Sequence, residues 1–132
     1  MHGGRWTPRG FRAIYTSATL SLAALERFVN TNPDLELTDL VAIPADIEAG
    51  LAIDAMNVGD LPAEWRTYPA PVALAAIGER WLRESRTAVL SVPSAVIPHE
   101  RNFVINPGHV DFGKITIGTS EPFTFDPRMW KT

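Results

Sequence analysis

The chain contains no cysteine, which excludes disulfides and thiolate metal centres and suits a reducing compartment. It also lacks a basic surplus: 12 Lys and Arg stand against 15 Asp and Glu, a net charge of -3. Proteins that grip nucleic acid ordinarily show the opposite balance, because each phosphate contact calls for a cation. No basic stretch interleaved with aromatics offsets this, so a ribonuclease is a third-ranked reading. No apolar run approaches the roughly 20 residues of a membrane span; Val72 to Ile77 is among the longest. The start, Met1-His2-Gly3-Gly4-Arg5, has no apolar segment after its charge and does not read as a signal peptide. These absences predict a soluble, cytoplasmic protein. The fingerprint Gly-x-Gly-x-x-Gly is missing, which excludes a Rossmann-type nucleotide site. His2, His99 and His109 lack ligand spacing, so they read as surface or loop histidines and no metal site is expected.

What is present is ordinary globular material. The chain has 132 residues, 45% hydrophobic and 20% charged, enough for one domain over residues 1–132. Phe11 to Tyr15 reads as a strand. Ser17 is the expected N-cap of a helix running to about Asn30, with Leu22, Leu25 and Val29 as its apolar stripe. Glu26 flanks that stripe, at the edge of the core. Asp39 to Ile43 reads as a buried strand stopped by Pro44, and Leu51 to Ile53 as another strand. The prolines and glycine between Asn57 and Pro71 mark a loop. A second helix is expected over Val72 to Glu84, with Leu74, Ile77 and Trp81 on one face and Gly78 allowing close packing. Glu79 with Arg83 and Arg80 with Glu84 are i,i+4 pairs on its solvent side. Thr87 to Val92 and Phe103 to Ile105 read as strands, and Ile115/Ile117 and Phe123/Phe125 alternate as two half-buried ones. The expected class is α+β: a curved, mixed or antiparallel sheet with two main helices.

Gly108 to Lys114 fits seven positions of a phosphate-binding P-loop. The eighth should be Ser or Thr and should open a helix, whereas Ile115 begins an alternating, strand-like run, so the match is rejected. More informative is the spacing of Arg5, Tyr15 and Glu26. A cation that can fork onto phosphate, an aromatic face and a helix carboxylate fall where a strand turns into a helix. Taken singly, each has an ordinary reading: Arg5 a surface cation, Tyr15 the end of a core strand, Glu26 an ion pair with Arg27. Ser94, after Pro93, reads as a turn hydroxyl.

Together with their surroundings, these residues resemble the RES-domain family. The resemblance is carried by Gly3-Gly4-Arg5-Trp6, Ile14-Tyr15-Thr16-Ser17, Ala24-Leu25-Glu26 and Val92-Pro93-Ser94-Ala95-Val96. It continues through Leu61-Pro62, Trp65-Arg66, Pro69-x-Pro71, Gly78, Trp81-Leu82, Asn102, Asn106-Pro107, His109, Asp111-Phe112, Pro122-Phe123 and Phe125-Asp126-Pro127. It spans Gly3 to Pro127.

The resemblance implies a fold similar to ADP-ribosyltransferase toxins. It implies a toxin of a toxin–antitoxin pair that cleaves the nicotinamide–ribose bond of NAD+ by hydrolysis or phosphorolysis, with NAD+ as substrate and inorganic phosphate as a co-substrate. Alternatives are a protein ADP-ribosyltransferase and a non-catalytic, antitoxin-binding module. Catalytic roles fall on Glu26, Arg5 and Tyr15, and substrate contacts on these three and Ser94. Glu26 would stabilise an oxocarbenium-like ribose, Arg5 would hold the pyrophosphate, Tyr15 would stack on nicotinamide, and Ser94 would donate to a ribose or phosphate oxygen. The implied partner is a helix-turn-helix antitoxin of the Xre type, with a homodimer inside a larger complex and no direct nucleic-acid or membrane contact. Two departures stand out: Thr7 replaces the family's usual Asn, and the strand that usually precedes the Gly-Gly motif is expected to be missing. Such a gap would expose a sheet edge.

Overall fold

The computed structural model describes residues 4–31 and 38–129; His2 and Gly3 of the sequence reading lie outside them. The framework is a four-stranded mixed sheet of order β1-β6-β5-β4, formed by Ile14–Ser17 (β1), Arg101–Ile105 (β6), Val89–Pro93 (β5) and Ile53–Ala55 (β4). β5 lies antiparallel to β6 and parallel to β4. The parallel pair is joined through helix α2, Val72–Glu84, as parallel neighbours require a crossover. Two antiparallel ribbons complete the fold: Leu40–Ala42 (β2) with Glu121–Phe123 (β8), and Ala45–Ile47 (β3) with Ile115–Ile117 (β7). With helix α1, Leu20–Val29, the architecture is α+β, as expected.

The central strand β5 is buried at every position because both of its neighbours and both of its faces are covered. Its register with β6 sets Leu90 opposite Val104 and Val89 opposite Ile105. The first pair joins Trp6, Trp65, Leu74, Trp81 and Val92 in one core. The second joins Ala88 and Ile115 in another, on the other side of the sheet. α2 packs into the first core through Leu74, Gly78 and Trp81. A Cβ at Gly78 would fall on the Trp6 carbonyl, so only glycine lets the helix seat there. Trp81 donates its indole N–H to Thr87 at 3.0 Å, and both expected ion pairs form on the outer face.

α2 has the expected bounds, but several other expectations need correction. α1 is capped by Thr19, whose hydroxyl accepts from the Leu22 amide at 3.1 Å; Ser17 stays in β1. Val29 is exposed, and among the stripe residues only Leu22 is buried. The strand near Asp39 is not buried: Val41 and Ile43 are exposed, because its partner is a two-stranded ribbon. Pro44 separates β2 from β3 rather than ending the strand region. β4 begins at Ile53, where the expected strand over Leu51 to Ile53 would end. Phe125 lies beyond β8 and packs edge-on to Phe123. His109 is buried, not a surface histidine: Nδ1 accepts from the Asp111 amide, so Nε2 carries the proton and donates to the Ser85 carbonyl at 2.9 Å. The P-loop-like stretch forms a 3-10 turn over Val110–Lys114 and then a strand.

Candidate functional site

β1 and α1 are consecutive, so Tyr15 and Glu26 are placed by one strand-to-helix turn. Arg5 arrives from the N-terminal segment, which Trp6 pins into the core. Thr7 and Tyr15 share a hydrogen bond of 2.6 Å, and a side chain at Gly4 would overlap the Tyr15 ring. This explains the small residue before Arg5: it lets the phenol lie against the backbone. Tyr15 as a residue remains 44% exposed. Burial of its hydroxyl end raises the phenol's pKa, opposed by hydrogen bonds at Thr7 and Trp6.

Arg5 Nη1 donates to the carbonyls of Trp65 at 2.7 Å and Thr67 at 3.1 Å. Both protons of that nitrogen are thereby used, and the Nε–Nη2 edge carries the remaining donors in the geometry that suits two phosphate oxygens. Burial lowers the Arg5 pKa, while the nearby Glu26 carboxylate raises it. Among the described residues the two side chains form no ion pair. Arg66 Nε donates to Ala95 at 2.9 Å, tying the segment that holds Arg5 to the turn after β5.

Glu26 is half-buried, and one of its oxygens is tied to the sheet. Oε1 accepts from Ser94 Oγ at 2.7 Å and from Asn102 Nδ2 at 2.8 Å. Among the described residues it makes no ion pair with Arg27. Ser94 is fully buried and also accepts from the amides of Val96 and Ile97 at 3.1 and 3.0 Å. A hydroxyl has one proton and two lone pairs, so Ser94 has no donor left for a substrate. The sequence expectation of direct donation to ribose or phosphate is thus replaced by support of Glu26. Asn102, which entered the sequence reading only as a matched position, is a member of the site. Its residue type gives no local signal; the signal lies in its register opposite Ser17.

Two cavities of about 310 and 290 Å³ lie away from these side chains, one beside Phe11, Arg83 and Pro107, the other beside Glu48, Leu51 and Lys114. Among the described residues no cluster of His, Asp and Glu could hold a metal ion, and no helix is long and apolar enough to cross a membrane.

The amino-acid sequence matches a known family over nearly its whole length. The RES domain model matches residues 1–126. A Toxin Res from Yersinia enterocolitica is 35% identical over 97% of this chain and 84% of its own length. Another from Photorhabdus laumondii is 36% identical over 99% and 84% respectively. A Prs ADP-ribosylating toxin from a Sphingobium strain is 36% identical over 96% of this chain and 80% of its own.

Proposed function

The chain belongs to the RES-domain family, and on that premise we propose that it is an enzymatic toxin that breaks the nicotinamide–ribose bond of NAD+. The observation that supports this reading is the Glu26 carboxylate, held through one oxygen by Ser94 and Asn102, with Arg5 anchored by the Trp65 and Thr67 carbonyls. The bond from the ribose anomeric carbon to the pyridinium nitrogen breaks, and its electron pair leaves with neutral nicotinamide. The resulting ribosyl cation is captured by an oxygen of water, which then loses a proton, or by an oxygen of inorganic phosphate.

Each side chain has a part consistent with its position. Glu26 presents negative charge to the cation as it forms. Arg5 grips the diphosphate through its Nε–Nη2 edge, held at the right angle by its two carbonyl anchors. The Tyr15 ring stacks on the departing base. Ser94 keeps Glu26 in place. The antitoxin expected of this family is a helix-turn-helix protein of the Xre type, bound to a toxin homodimer within a larger complex.

Purified, antitoxin-free protein incubated with NAD+, with and without phosphate, should release nicotinamide, and Glu26→Gln should release it far more slowly. Absence of release from the folded wild type under both conditions overturns the reading. A second reading, transfer of ADP-ribose to a protein, is favoured by the name of the Sphingobium relative; labelled NAD+ would then mark a protein band. If the wild type and Glu26→Gln arrest growth equally, the chain is a binding module rather than a catalyst.

A further inference from the structure

We propose that Asn102, itself held by Ser17, is a positioning residue that locks the Glu26 carboxylate with Oε1 drawn back to the sheet and Oε2 presented to the reacting ribose. The role at the ribose rests on the reading above; the lock itself does not.

Ser17 and Asn102 are directly opposite in the β1–β6 register. Ser17 Oγ donates to Asn102 Oδ1 at 2.7 Å, and Asn102 Nδ2 donates to Glu26 Oε1 at 2.8 Å. The chain of donors has one sense. Rotating the amide would set Oδ1 against a carboxylate oxygen, two acceptors face to face. Ser17 fills one lone-pair site of the amide oxygen and holds it in that sense. Ser94 supplies the second bond to Oε1, so that oxygen is fixed from two directions.

Oε2 is left differently. Among the described residues it accepts no hydrogen bond, yet no buried side-chain oxygen or nitrogen lacks a partner. Oε2 therefore reaches solvent. A carboxylate with one oxygen clamped and the other open has lost the rotation that would exchange them, and pre-organised charge costs no reorganisation during the reaction. Arg5, from the N-terminal segment, feels the Glu26 charge. Arg101, next to Asn102 on β6, commits Nε and Nη2 to Ser91 and the Met56 carbonyl, and Arg27 on α1 is exposed.

The test compares wild type, Asn102→Ala, Asn102→Asp and Ser17→Ala, each checked for folding by thermal melting. NMR scalar couplings across the Glu26 side chain should report one rotamer in wild type, averaging in Asn102→Ala, and partial averaging in Ser17→Ala. The kcat for nicotinamide release should fall about 10- to 100-fold in Asn102→Ala, the scale of a misplaced group, with KM little changed. Asn102→Asp keeps the shape but replaces the amide donor with a second carboxylate set against the first, so the Glu26 couplings should average there as well. A single Glu26 rotamer retained in both folded Asn102 variants overturns the proposal, as does wild-type kcat in folded Asn102→Ala. If wild type releases no nicotinamide, the NAD+ reading fails while the couplings still decide the lock.

Discussion

The two helices are attached to the sheet on different principles. α2 is held by shape: Leu74 and Trp81 are buried, and glycine at position 78 lets the axis approach the Trp6 backbone. α1 buries only Leu22 fully, and its firmest long-range tie is polar, from Glu26 to Ser94 and Asn102. The helix that serves as scaffold is fastened by packing, and the helix that carries the candidate catalytic group is fastened through that group. Removing a side chain from one should damage the fold; changing the other should damage the chemistry.

The sharpest way to separate them is Glu26→Gln, which retains an acceptor for Ser94 and Asn102 but loses the charge. Nicotinamide release should drop about 10²- to 10³-fold, the scale of losing one electrostatic stabiliser, while the denaturant midpoint moves little. Gly78→Ala should do the reverse. Its methyl meets a backbone carbonyl that cannot swing away, costing about 1–3 kcal/mol in urea unfolding, and activity should fall only with the folded fraction. Arg5→Lys keeps a charge but loses the fork, so KM for NAD+ should rise about tenfold, worth about 1.4 kcal/mol.

The smallest effect concerns Tyr15. Tyr15→Phe removes the Thr7 bond and should cost about 0.5–1.5 kcal/mol. Burial puts the folded phenol above its ordinary value of 10.0, so the folded state keeps this proton longer than the unfolded chain. Its contribution is complete below about pH 10 and is lost as pH rises through the folded value. Urea midpoints measured up the alkaline range should fall faster for wild type than for Tyr15→Phe. Equal slopes would show that the ring edge is not buried as described.

The sequence was most informative where the determinants are local. α2 is bounded by Pro71 and a left-handed Ser85, and its apolar residues recur at helical spacing, so its ends were legible. The placement of Tyr15 and Glu26 on consecutive elements was legible because one turn joins β1 to α1. What escaped notice depends on distant partners. Ser17 and Thr19 are equally good caps by composition; Ser17 is used instead by Asn102, 85 residues away. Pro44 looked like an end because the strand after it pairs with Ile115–Ile117. His109 looked exposed because the carbonyl that needs its proton belongs to the end of α2. Ser94 looked available because nothing near it in the chain reveals that its proton is taken by Glu26, 68 positions earlier.

The site is stitched from stretches far apart along the chain, with Arg5 anchored at Trp65 and Thr67 and Glu26 clamped from Ser94 and Asn102. A ribosome that has made only the first half of this polypeptide holds an arginine and a glutamate with nothing to aim them. The cell that synthesises the protein therefore meets no assembled grip until β6 has emerged and docked, and any partner that captures the chain before that moment meets it unarmed.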